Sequence, residues 1–235
     1  GVASPTFEAG HYTATATSGG IAIGMLLSAS SPAIRASRID TTAAGAGTPD
    51  EAYGVYCTGC AGSTFANATI QGGSASTIAT GFYGTGDLSG ATFTSTNLQG
   101  GATPNVATGR MRAVHFDTCT GAPTLSSSNT FGGLAVGPLT QRWGLHATGA
   151  MCAPVIDGGT HIGCEFSGAC TGIACEQGAC VIRNAGSVRG SGGPARNAIG
   201  VQCSRGACAS ITNSTVVAGN LDGSGNTGIG VELAA

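Results

Sequence analysis

Two histidines and an aspartate are the residues of this chain with the best spacing for ligand chemistry. His115 and His146 are 31 residues apart, and Asp117 follows His115 by two, which puts it on the same face of an extended strand. Two imidazoles and one carboxylate suit zinc, copper or iron. The interval matches a repeat of about 30 residues in the chain, so both rings should stack on adjacent units. Tyr56, Ala174 and Gln202 hold the equivalent position elsewhere, and none of them ligates a metal. The position therefore reads as an outward ladder of mid-sized polar residues, and neither a metal nor a cofactor is expected. Asp157-x3-His161 is a weaker pair.

Acid–base chemistry has little to build on. Cleavage of a polysaccharide needs carboxylates grouped on one face. Asp40, Asp50, Asp87, Asp117, Asp157 and Asp222 are scattered, with no Asp-Asp pair. Arg183, Arg189, Arg196 and Arg205 gather in the last third, with Glu165, Glu176 and Asp222 nearest to them in sequence. They read as solvated, solubilising side chains. Gly-x-Ser-x-Gly is absent, so no serine sits in a nucleophile elbow. No catalytic residue is assigned, and the chain is not expected to be an enzyme.

The ten cysteines are more informative. Cys57-x-x-Cys60 alone resembles half a zinc knuckle, but tetrahedral zinc needs two close pairs converging. An even count points instead to disulfides and an oxidising compartment, hence to a secreted, extracellular or cell-surface protein. Spacing suggests Cys175–Cys180, Cys203–Cys208 and Cys164–Cys170 as bridges within a unit. Cys119 and Cys152 occupy nearby positions in consecutive units. Cys57–Cys60 remains.

The elements that hold these residues follow from the repeat. Gly172-Ile-Ala-Cys and Gly200-Val-Gln-Cys open two neighbouring copies, each with a second cysteine five residues after the first and an asparagine beyond. The opening glycine can be followed through Gly24, Gly54, Gly81, Ala113, Gly144, Gly172, Gly200 and Gly230. Glycine pairs such as Gly72-Gly73 and Gly100-Gly101 close the units, and glycine suits turns that need positive φ. Ile70, Leu98, Phe131, Ile156, Val188 and Val216 precede these turns, with Asn67, Asn97, Asn184 and Asn213 just before them as corner residues. Between turns lie three to five residues of alternating, β-branched character, which is a strand pattern. A period of this length signals stacked units. The expected fold is all-β, a single-stranded parallel β-helix of about seven or eight coils spanning residues 1–235 as one domain, with 1–50 the least regular part. Val55, Val114, Leu145, Ile173 and Val201 should stack inside it. At roughly 4.8 Å per coil the rod would be about 38 Å long.

The Gly-x-x-Cys…Gly-x-Cys…Asn units at 172–184 and 200–213 resemble the right-handed parallel β-helix superfamily, which includes pectate lyases, pectin-degrading hydrolases and phage tailspikes. In their cysteine punctuation they look like secreted bacterial repeat proteins of myxobacterial type. The resemblance covers about residues 50–235. It implies the fold and leaves activity open, because the superfamily holds enzymes, adhesins and passive rods.

Composition narrows the partners. The net charge is −2, charged residues make up 9% of the chain, and no lysine occurs. A basic footprint for nucleic acid is missing, and no apolar run reaches the roughly 18 residues of a membrane span. The final residues, Gly230 to Leu233, read as the first strand of another coil, and the first dozen read as extended strand. Uncovered coil ends invite pairing, and a head-to-tail contact that does not close gives a filament. The chain itself is therefore the expected partner, with Val231 and Leu233 meeting Val2, Phe7 and Tyr12 of the next copy in an extracellular filament or surface layer. The alternative is an adhesin or carbohydrate-binding rod that takes extracellular polysaccharide, marked by a groove lined with Tyr53, Tyr56, Tyr83 and Trp143. A polysaccharide lyase or hydrolase, marked by grouped carboxylates, is the second alternative.

Overall fold

The computed structural model describes residues 4–16, 19–43, 48–103, 109–135, 141–165, 168–195, 197–205, 207–221 and 226–234. Val2, Arg196 and Asp222 lie outside the described residues. Short β-branched segments broken by glycine cannot sustain helices, and among the described residues every regular element is a strand. Three parallel sheets of eight strands each wind into a solenoid. Eight equivalent strands per sheet give about seven turns from first coil to last. The first sheet runs from Thr6–Glu8 to Cys208–Thr212, the second from His11–Ala16 to Val216–Leu221 and the third from Ile21–Ser28 to Thr227–Ala234.

Each sheet sends one column of side chains into the bore. The third sheet contributes Met25, Val55, Phe82, Val114, Leu145, Ile173 and Val201 in direct register. The five residues predicted from the period are all fully buried. The first sheet contributes Ile34, Phe65, Phe93, Leu125, Ile156 and Ile182, with Phe65 and Phe93 stacked 4.7 Å apart. The second sheet departs from expectation. Its column runs Ile39, Ile70, Leu98, Thr130, His161 and Val188. Phe131 faces outward and is only half-buried, while Ile156 belongs to the first sheet. An imidazole fits the bore because both nitrogens are satisfied there. His161 Nε2–H donates to the Gly158 carbonyl at 3.1 Å, and Nδ1 accepts from the Thr130 hydroxyl at 3.0 Å.

The corner between the first and second sheets is made the same way in every coil. One residue takes positive φ: Ala9, Ala36, Asn67, Ser95, Ser127, Gly158, Asn184 or Asn213. Asparagine marks three of these corners as expected, but Asn97 does not sit at one. It begins the strand Asn97–Gln99, and its side-chain oxygen accepts from Asn129 Nδ2 in the next coil at 3.0 Å. Ser95 makes that corner.

The cysteines lie in five pairs at disulfide distance. Cα separations are 6.1 Å for Cys57–Cys60, 5.0 Å for Cys119–Cys152, 5.5 Å for Cys164–Cys170, 6.4 Å for Cys175–Cys180 and 5.6 Å for Cys203–Cys208. Only Cys119–Cys152, 33 residues apart in sequence, joins consecutive coils. At the first coil Phe7 and Tyr12 meet edge to face at 5.8 Å and pack against the core. In the last coil Val231 continues the bore column after Val201 and is 43% exposed, and Leu233 is 77% exposed.

Candidate functional site

The site originates in the anchor glycines. Residues three apart on a straight strand point to opposite faces. Yet Tyr53 and Tyr56 touch at 5.1 Å, and Trp143 and His146 stack at 4.8 Å with their planes 5° apart. Each of these strands therefore bends at the glycine between, Gly54 or Gly144, with the concave side outward. Glycine is required because the backbones crowd there. A Cβ on Gly54 would lie 2.7 Å from the Gln71 carbonyl and 2.8 Å from the Gly81 carbonyl, and one on Gly172 would meet the Gly200 carbonyl at 2.6 Å. Stacked bends turn the outer face of the third sheet into a groove along the rod.

Two columns form its floor. One runs Tyr53, Thr80, Arg112, Trp143 and Thr171. The other runs Tyr56, Tyr83, His115, His146, Ala174, Gln202 and Glu232. Their rings touch in sequence. Tyr56 stacks on Tyr83 at 4.7 Å, Tyr83 meets His115 at 5.3 Å, His115 stacks on His146 at 5.1 Å, and His146 stacks on Trp143. The Arg112 guanidinium lies 5.0 Å from the centre of the Trp143 ring, a cation–π contact.

The groove deepens around these residues into a cavity of about 570 Å³, lined by Arg110, Arg112, His115, Trp143, His146 and Glu176 among others. Asp117 and Glu176 form one wall. Asp117 accepts from the Tyr83 hydroxyl at 2.7 Å and from Thr148 at 2.9 Å. Glu176 accepts from His146 Nε2 at 2.7 Å. In the same cavity several buried polar atoms have no hydrogen-bond partner: Arg112 Nε, both ring nitrogens of His115 and Nδ1 of His146. Arg112 is 5% exposed and His115 is 7% exposed.

Electrostatics follow burial. Desolvation, then the charge of Arg112, pushes His115 down to about 2, so it is neutral at any physiological pH. His146 is also below the usual histidine value because it is buried, with Glu176 pulling in the opposite direction. The hydrogen bond from His146 holds Glu176 below the usual carboxylate range. Burial lowers Arg112 to about 10, which leaves it charged at neutral pH. Burial, and then the hydrogen bond to Asp117, raises Tyr83 above its ordinary value.

The structure brings His115, His146 and Asp117 to one place, but not as ligands. The imidazole planes are parallel within 9°, so their lone pairs do not converge. No group of three or more His, Cys, Asp or Glu suited to a metal occurs among the described residues. The ladder faces outward as the spacing predicts, but its two histidines are buried, and Trp143 stacks on His146. Tyr53 is buried too, donating to Glu51 at 2.8 Å. Arg183 pairs with Asp157 at 3.1 Å and Arg189 bonds Ser187, away from the groove. Arg110 and Arg112 escaped the sequence reading. Their signal is spacing: they lie three and one residues before the anchor Ala113, on the strand that carries His115 and Asp117. Neither family models, nor curated proteins, nor solved structures yield a match to this chain.

Proposed function

We propose that this chain is a secreted rod that binds extracellular polysaccharide along the groove of its third sheet, as an adhesin or a carbohydrate-binding module. The observation that carries the reading is the cavity at Trp143. The half-buried Trp143 ring, stacked on His146, stands beside buried donors and acceptors that no protein group satisfies. Leaving such groups unpaired is costly, and hydroxyl groups can both donate to and accept from a neutral imidazole. The disulfide-distance pairs are compatible with an oxidising, extracellular setting. Cysteine-marked coils also support kinship with the pectate-lyase-like β-helix proteins, although the binding reading does not depend on it. Hydrolysis or elimination is less well supported. Glu176 is held ionised and His115 is far too weak a base at neutral pH, so neither is poised for proton transfer.

The test uses Trp143, the chain's only tryptophan. Titration with neutral and acidic polysaccharides should give a saturable change in its emission, and Trp143→Ala should abolish retardation in affinity electrophoresis while the variant stays folded. Absence of a saturable response to every polysaccharide would end this reading. A filament remains the second reading, favoured by the exposed edge at Val231 and Leu233. Further chain or a second copy would cover that edge equally well. Sedimentation at rising concentration separates them, since only the second gives growing assemblies.

A further inference from the structure

We infer that the occupant of the groove is a linear heteropolysaccharide lying parallel to the rod axis, in which acidic sugars are separated by uncharged ones, with one acidic sugar held at Arg110 and Arg112. This rests on the carbohydrate reading above and adds direction, length and charge pattern.

Direction comes from the rings. Tyr56, Tyr83, His115, His146 and Trp143 form one unbroken ribbon over four consecutive coils. It follows the stacking of the coils rather than any single strand. A ladder that served only to brace the sheet would not leave His115 with two unsatisfied nitrogens in its middle. The ribbon continues through Ala174 to Gln202. From Tyr56 to Gln202 is five coil steps, roughly 24 Å at the spacing of paired strands. A monosaccharide cannot span that distance, but an oligomer can.

The charge pattern comes from what flanks the ribbon. Carboxylates recur along it: Glu51 beside Tyr53, Asp117 beside Tyr83, Glu176 beside His146 and Glu232 beside Gln202. A chain with a negative charge on every unit, such as a nucleic acid or a polyuronate, would be repelled along its length. Cations are local. Arg110 and Arg112 lie two residues apart on one strand, facing the same side, and the charge of Arg110 disfavours that of Arg112. Among the described residues no carboxylate lies within ion-pair distance of Arg112. Arg205 lies in a neighbouring cleft beyond Glu176. Arg110 and Arg112 therefore form the one cationic station among the described residues of the groove, in a cavity where Asp117 and Glu176 are already engaged by Tyr83, Thr148 and His146. A carboxylate or sulfate on one sugar of a repeat fits this station, and its oxygens would take up the free Arg112 Nε–H.

The experiment compares three oligosaccharide series by calorimetry and Trp143 emission: cello-oligosaccharides, which are neutral, oligogalacturonates, which are acidic at every unit, and hyaluronan oligosaccharides, in which acidic and uncharged sugars alternate. The alternating series should bind tightest, with affinity rising through the longer members and then levelling off. Tyr56→Ala should weaken the long members about fivefold and the disaccharide hardly at all, as expected if an aromatic contact of about 1 kcal/mol is lost only where the chain reaches it. Arg112→Met should remove the advantage of the alternating series over the neutral one, and Arg112→Lys should restore part of it. Thermal melting verifies that each variant is folded. Tightest binding of oligogalacturonate, or affinity that does not grow beyond the disaccharide, would overturn this inference and leave carbohydrate binding standing. No binding by any series would overturn both.

Discussion

Lowering the pH from 7.5 to 5 should cost this protein about 2 kcal/mol of stability through one residue, His161. The imidazole lies wholly inside the bore, where burial lowers it to about 4 from an ordinary 6.5. Between those values the unfolded chain takes up a proton that the folded chain refuses, so folding stability falls as the pH falls through that window and levels off below it. Full separation of the two values is worth roughly 3 kcal/mol, and by pH 5 about 2 kcal/mol of it is already lost. The folded geometry explains the refusal. Nδ1 accepts from Thr130 while Nε2–H donates to the Gly158 carbonyl, so a second proton would break the Thr130 bond as it stands and put a charge into the apolar bore. The perturbation that isolates the effect is the paired change Thr130→Val with His161→Leu. It extends the apolar column from Leu98 to Val188 and leaves no orphaned hydroxyl. Urea unfolding under non-reducing conditions at both pH values gives the measurement. The difference between wild type and variant should shrink the pH-dependent loss by about 2 kcal/mol, whatever His115 and His146 add to both. An equal loss in wild type and variant would refute the reasoning.

Corner chemistry gives a second expectation. Ala36 holds φ 46°, where a Cβ costs about 1–2 kcal/mol. Ala36→Gly should therefore raise the denaturant midpoint by the equivalent of about 1 kcal/mol after the added chain entropy of glycine, whereas Ala68→Gly one residue past a corner should lower it. The cysteine pairs should differ in worth. By loop-closure entropy, replacing Cys119 and Cys152 together by serine should cost about 4 kcal/mol, and replacing Cys57 and Cys60 less than about 2 kcal/mol. Equal unfolding midpoints for the two double variants would contradict this ordering.

Much of the fold was legible because its repeat is written in backbone-critical residues. The anchor glycines stay in register through the third sheet, so one step beyond them finds Val55, Val114, Leu145, Ile173 and Val201 in the bore. Aromatic residues of the groove could be named from the sequence, but the bend that brings them together was not legible, for the same reason. A glycine shows no inward or outward preference, so the phase slip it permits between Tyr53 and Tyr56, or Trp143 and His146, leaves no trace in an alternation pattern. Corner residues were half legible. Asparagine announces a left-handed conformation, but Ala36, Ser95 and Ser127 adopt it without any such mark. Thr130 and His161 hid in a column expected to be apolar because each satisfies the other, and that pairing is visible only once consecutive coils are stacked. Arg112 was passed over because nothing in its neighbourhood along the chain indicates that Trp143, 31 residues later, will cover it.

The bend at the anchor has a consequence for how such a rod can change over time. Each coil offers the groove two side chains, one just before the glycine and one two residues after it, and neither enters the bore. Rewriting that strip changes what the surface can recognise without disturbing the interior packing. A coil inserted by duplication would bring two more positions in step with the rest, lengthening the inscription by one register step of about 4.8 Å. In this architecture, recognition can therefore drift while the scaffold is held fixed by the glycines between the letters.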